Sequence, residues 1–240
     1  HLARSEDVVV VSLNHRLGVF GHLYLGELGG ERYRDSGNVG MLDIVLALEW
    51  IRDNIAEFGG DPDSVTIFGE SGGGDKVNVL MAMSAAKGLF HRAISQSAGT
   101  RRLHTIDTAT EYAERLLHNL DLKRKQIDRL HRLSARQILA GANADGSGML
   151  GVTPVVDGGV LPTDPFDPAT PASAIHAGVP LMIGSKEYEL TDMPHVAAGI
   201  GADHPYLRTG SLPEGMLHKE ITSFLKNSPL SFRKGKSVDM

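Results

Sequence analysis

Val65-Thr66-Ile67-Phe68-Gly69-Glu70-Ser71-Gly72-Gly73-Gly74 runs from apolar, largely β-branched residues into a glycine-rich turn. Val65 to Phe68 reads as a strand buried on both faces, and Gly69 to Gly74 as a tight turn. A helix is expected from about Asp75 to Ala86, with Val77, Leu80, Met81 and Ser84 on one face. The same alternation recurs on either side. Val8-Val9-Val10-Val11 is uninterrupted and β-branched, which predicts a strand covered by helices on both sides of a sheet. Asn14-His15-Arg16-Leu17-Gly18 follows as a turn. Met41 to Ile55 is apolar at 41, 44, 45, 48, 51 and 55, a helical spacing stopped by Phe58-Gly59-Gly60-Asp61-Pro62. Ala93 to Gln96 and Leu181 to Ser185 read as further short strands, the latter after Val179-Pro180. Strands alternating with helices predict a mostly parallel α/β sheet.

Between 105 and 150 the reading turns helical. Thr108-x-x-Glu111 and Ser134-x-x-Gln137 are capping-box patterns ahead of apolar-periodic runs, so two or three short helices fit there. Lys123-Arg124-Lys125 falls on a solvated face, and Asp145-Gly146-Ser147-Gly148 is a loop. A last helix is expected from Ser211-Leu212-Pro213-Glu214, with Leu217, Ile221, Phe224 and Leu225 apolar. The polar, basic tail over 227–240 is expected to fray. No internal repeat is visible, and residues 1–240 are read as a single domain.

Composition narrows the function classes. The 240 residues are 41% hydrophobic and 22% charged, an ordinary globular balance. A net charge of −5 gives no general basic field for nucleic acid. There is no cysteine, which excludes a disulfide scaffold, a thiolate metal site and a catalytic thiol. No apolar run approaches 18 residues, so no membrane span is expected. The compartment is left open between cytoplasmic and secreted, and the oligomeric state is not legible. His1 to Asp7 is too charged for a signal peptide, and the start at His1 leads us to expect missing N-terminal sequence. No metal or other cofactor is expected: His-Glu-x-x-His is absent, and Asp157, Asp164 and Asp167 lack a calcium-loop spacing and read as residues that cap or solvate a proline-rich loop.

Gly69-Glu70-Ser71-Gly72-Gly73 fits G-x-S-x-G, in which a serine sits on a sharp strand-to-helix turn. Glycines at 69 and 73 let strand and helix approach, and the Gly72 N–H faces a developing oxyanion at the helix start. Five residues alone recur by chance; the strand before and the helix after give them weight. A phosphate cradle is the rival. Gly69 and Gly74 have its separation, but Asp75 stands where that motif needs lysine and Val77 where it needs a hydroxyl, so phosphate would be repelled.

The longer run from Phe58 to Gly73 resembles the serine signature of the type-B carboxylesterase family, which includes the cholinesterases and para-nitrobenzyl esterases. Val8 to Gly21, Gly37 to Asp43, Gly88 to Gly99 and Pro154 to Pro162 resemble other stretches of that family, in order. The resemblance is strong over 1–100, sparser to 190 and not visible beyond. Details such as Asn14-His15-Arg16, and Gly72 where many relatives have alanine, look bacterial. It implies an α/β-hydrolase fold, here partial, and a serine carboxylic-ester hydrolase acting on small carboxylic esters. It also implies Ser71 as nucleophile, Gly72 as one oxyanion donor and Glu70 as a buried acid beside the serine. The acid partner aligns with Glu189, where Leu190 replaces the family's usual glycine, and Glu187 is the fallback. The catalytic histidine of the family lies further downstream than His195, His204 or His218, and its other oxyanion donors precede Val8. The chain is therefore expected to be an internal piece of a longer esterase, nearly inactive and only marginally folded by itself. His15 and His22 flank a strand end, His91 precedes a strand, and His118 and His131 lie on expected helices with no partner in view. The alternative is a non-catalytic binding or adhesion protein on the same fold, against which the retained Ser71 argues.

Overall fold

The computed structural model describes residues 2–99, 102–144, 152–167 and 174–185. Helix α1 is Val39–Asn54, and its buried stripe of Met41, Ile44, Val45, Leu48 and Ile51 is the one the spacing predicts. A 3-10 turn, Ile55–Phe58, carries the stripe on to Ile55 and ends at Gly59, whose φ of +81° supplies the left-handed cap that glycine adopts freely. Strand β1, Thr66–Glu70, leads through Ser71 into helix α2, Gly72–Leu80. Strand β2 is Arg92–Gln96, helices α3 and α4 are Ile106–Asn119 and Ala135–Asn143, and strand β3 is Leu181–Gly184.

The three strands form one parallel sheet in the order β1-β2-β3. Parallel neighbours need a crossover, and α2 supplies the one between β1 and β2. The main core lies between α1, α2 and the sheet, where Met41, Leu48, Val77, Val79, Met83, Phe90 and Ala93 are buried together. A second cluster joins Val19, Leu23 and Leu25 to Tyr112, Leu116 and Leu117 of α3, and to Ile127, Leu130 and Ala142. Asn38 bridges distant segments: it is buried, exchanges hydrogen bonds with Val155 N and O, and donates to Asp157.

Four expectations change. Val8 to Val11 is extended but unpaired, each valine 40–45% exposed, because no strand among the described residues lines up with it. The helix after the glycine-rich turn starts at Gly72, not Asp75, and ends at Leu80, with the separate turn Ser84–Ala86 beyond. The α3 capping box is Thr105 with Thr108, three residues before the pattern expected: Thr105 N donates to Thr108 Oγ1 at 3.0 Å, and Thr108 N to Thr105 Oγ1 at 3.3 Å. A threonine hydroxyl does there what a glutamate does in the usual box. His131 does have partners, since its ring stacks on Tyr33 and its Nε2 lies 3.1 Å from the Tyr33 hydroxyl, which donates to Asp128. The Ser134 box forms as read, with Ser134 and Gln137 bonded reciprocally. Asp157 accepts from Gly159 N and Leu161 N, and Asp164 from Leu103 N and Phe166 N, so these carboxylates cap loops. The helix expected from 211 and the tail lie outside the described residues.

Candidate active site

Ser71 sits where β1 gives way to α2, with φ +54° and ψ −122°. A non-glycine residue there is strained by about 1–3 kcal/mol and persists only where its surroundings enforce it. Two hydrogen bonds do so. Ser71 N donates to Gln96 O of β2 at 2.9 Å, and Ser71 O accepts from Asp75 N at 3.0 Å, opening the helix. The side chain is thereby left exposed at the carboxyl end of the sheet, and no hydrogen bond to Ser71 Oγ forms among the described residues.

The glycines divide unequally. A Cβ on Gly69 would run into the backbone of Gly73, and one on Gly74 would come within 2.8 Å of Gln96 O. A Cβ on Gly73 would meet nothing within 4 Å, so the close approach of strand and helix depends on Gly69 and Gly74 and not on Gly73. Gly72 is the first residue of α2, and its N–H is one of those a helix start leaves without an intrahelical acceptor. Glu70, expected to be buried, is exposed, because β1 is an edge strand of the described sheet and no element there covers its end.

The sheet register sets the remaining geometry. Glu70 lies beside Gln96, and Gln96 beside Gly184, so three strands end level with Ser71. Ser97 N continues the ladder to Gly184 O at 2.7 Å. In open α/β sheets the carboxyl ends of the strands form the ligand-binding edge. Glu187 and Glu189 follow Gly184 by three and five residues; they lie outside the described residues, as do His195, His204 and His218.

Beside the turn is a polar group that sequence reasoning left without a role. Lys76 Nζ donates to Gly72 O at 2.9 Å, and burial holds its pKa below the usual lysine value. His15 has a lowered pKa through burial and then the Lys76 charge, and its buried Nε2 has no hydrogen-bond partner among the described residues. His22 is buried with Nδ1 3.2 Å from Gly37 O, and burial above all pushes its pKa down to about 4. Arg16 clamps Asp43 with two side-chain bonds of 2.6 and 2.8 Å and a backbone bond of 2.9 Å, which holds the Asp43 carboxyl below its usual range. Asn14, His15, Arg16, Asp43 and Leu46 line an open cavity of about 440 Å³. The available signal for Lys76 was its place four residues after Gly72, since helical side chains lean back over the preceding turn. Nothing local in the sequence joins Arg16 to Asp43, 27 positions apart.

Among the described residues no group of three or more potential metal-binding side chains is found, and no helix is long and apolar enough to cross a membrane. The carboxylesterase family model matches residues 1–200. The chain is 41% identical over 194 residues to the para-nitrobenzyl esterase of Bacillus subtilis, covering 78% of this chain and 38% of that protein. It is 35% identical over 207 residues to an acetylcholinesterase of Leptinotarsa decemlineata, covering 79% and 32%. Among solved structures, a carboxylesterase of Geobacillus stearothermophilus superposes with a TM-score of 0.75 at 35% identity, covering 95% of this chain and 51% of that one. The chain thus spans well under half the length of these two curated relatives. The fold is that of the α/β hydrolases, in part. With the family match running through most of its residues, the chain belongs to the carboxylesterase family.

Proposed function

We propose that this chain carries the nucleophile of a serine carboxylic-ester hydrolase that works through an acyl-enzyme. The observation that carries the reading is Ser71 held at φ +54° on the turn between β1 and α2, exposed, with the Gly72 N–H at the helix start beside it. Nothing but a tight turn asks for a strained serine there, and reaction with an incoming carbonyl gives the strain a use.

In this mechanism Ser71 Oγ attacks the carbonyl carbon of a small ester. The carbonyl electron pair moves onto oxygen and is received by the Gly72 N–H. The serine proton passes to a histidine, the base that a hydroxyl nucleophile requires, and on to the departing alcohol. Water then repeats the sequence on the acyl-enzyme and releases the acid. Glu189 orients the histidine, with Glu187 as the alternative; in sequence both follow β3, whose carboxyl end lies at the edge where Ser71 sits. The chemistry needs no metal or other cofactor. A non-catalytic binding role is not favoured, because it has no use for an exposed serine hydroxyl set beside the Gly72 N–H at a helix start.

The test is hydrolysis of p-nitrophenyl acetate by the intact gene product containing residues 1–240. Ser71→Ala is expected to lower kcat by about 10⁴-fold or more, since triad members act as a unit. Glu189→Gln is expected to lower it by about 10⁴-fold, as loss of the orienting carboxylate does in a serine protease. Hydrolysis that survives Ser71→Ala contradicts the function, and a loss produced by Glu187→Gln but not by Glu189→Gln moves the acid two residues upstream.

A further inference from the structure

Lys76 belongs to the first turns of α2, four residues after Gly72, and its side chain folds back along the helix. Nζ donates to Gly72 O at 2.9 Å. It also stands 3.6 Å from where a Cβ on Gly72 would be. That position and the Gly72 nitrogen share one Cα and are ~2.5 Å apart, so the ammonium lies within about 6 Å of the Gly72 N–H. The side chain is partly buried, and its charge opposes protonation of both His15 and His22.

We propose that Lys76 is a positioning residue for ester cleavage, anchoring the Gly72 carbonyl and setting a partly desolvated positive charge within about 6 Å of the N–H that receives the oxyanion. The inference rests on the reading of Ser71 as nucleophile. In the step concerned the Ser71 Oγ–carbon bond forms, the carbonyl π pair moves onto oxygen, and the serine proton goes to the histidine base; Lys76 exchanges no proton. The hydrogen bond to Gly72 O is the same before and during that step. The attraction between ammonium and oxyanion exists only once the electron pair has arrived, and an interaction made only in the transition state raises kcat without tightening substrate binding. A side chain needed merely to fill the space could be uncharged. Lysine there sets a partly buried charge, disfavoured by burial and supported by the neighbouring Asp75 carboxylate, close to where the oxyanion develops.

The experiment is steady-state hydrolysis of p-nitrophenyl acetate by the intact gene product and three variants. Lys76→Met removes hydrogen bond and charge, Lys76→Gln keeps a donor without charge, and Lys76→Arg keeps both. The expected result is a fall of about tenfold in kcat for Met and Gln alike, KM within about twofold of the parent, and most of kcat restored by Arg. Wild-type kcat in Gln overturns the role of the charge, even if Met falls. A change confined to KM overturns it too. Gln retains the anchor, so the comparison stands if Met fails to fold. Ser71→Ala run alongside separates the two readings: hydrolysis surviving in it overturns both, whereas hydrolysis lost in it and unchanged in Lys76→Gln overturns the role of Lys76 alone.

Discussion

Ser71 is held where a residue with a Cβ is disfavoured, and this can be measured without any substrate. Ser71→Gly removes the Cβ that makes φ +54° unfavourable, so it is expected to raise stability by about 1 kcal/mol in urea denaturation. Ser71→Ala keeps the Cβ and is expected to leave stability within about 0.5 kcal/mol. Equal stability of the Gly and Ala variants would mean that the turn is unstrained. The neighbouring glycines give a second contrast. Gly69→Ala drives a methyl group into the Gly73 backbone, neither side of which can yield without moving strand or helix. A loss of about 3 kcal/mol or failure to fold is expected. At Gly72 a methyl group makes only an ordinary contact with Lys76, so Gly72→Ala is expected to be neutral within about 0.5 kcal/mol. Reversed outcomes in thermal melts would contradict the packing described. The pentapeptide is legible in sequence, but the division of labour among its glycines is not. The need for glycine at Gly74, just beyond the pentapeptide, is less legible still, because it depends on Gln96 and Ala98, which reach the turn through the parallel pairing of β1 and β2.

Among elements, the segment from Asn14 to Asn38 folds against α1 around a buried histidine. Gly37 O can only accept, so His22 Nδ1 carries a proton and Nε2 does not when the ring is neutral. The folded pKa of about 4 lies below the ordinary value of 6.5. Between those values the unfolded chain binds more protons, so the contribution is complete above about pH 6.5 and is lost as pH falls toward 4. The loss reaches about 3 kcal/mol. Urea midpoints at pH 7.5 and 4.5 should therefore converge in His22→Gln relative to the parent chain; an equally steep acid loss in that variant would contradict the assignment. The positions of the elements are legible wherever pattern and pairing agree, as in α1, β1, β2 and β3, but β1, expected to be buried on both faces, has Thr66, Phe68 and Glu70 exposed along one of them. Val8 to Val11 has the composition of a buried strand, yet strand formation needs a neighbour to complete the ladder, and composition cannot supply one. The α3 cap was misplaced by three residues because either threonine can cap, and only the helix start distinguishes them.

At the scale of the whole molecule, three parallel strands end level and bring Ser71 of β1 to the same edge from which the chain leaves β3 toward Glu187 and Glu189. The parallel sheet and the serine turn were legible in the alternation of strands with helices. The Lys76 anchor and the Arg16–Asp43 clamp were not, because they join residues whose meeting depends on how segments pack. The central claim is that this fold exists to present Ser71 as a nucleophile. Labelling of the intact gene product with a fluorophosphonate probe, followed by peptide mapping, tests it most directly, because the probe reacts with an activated serine irrespective of the ester preferred. The account predicts label on Ser71 alone and none in Ser71→Ala; label on another serine, or label that survives that substitution, would contradict it.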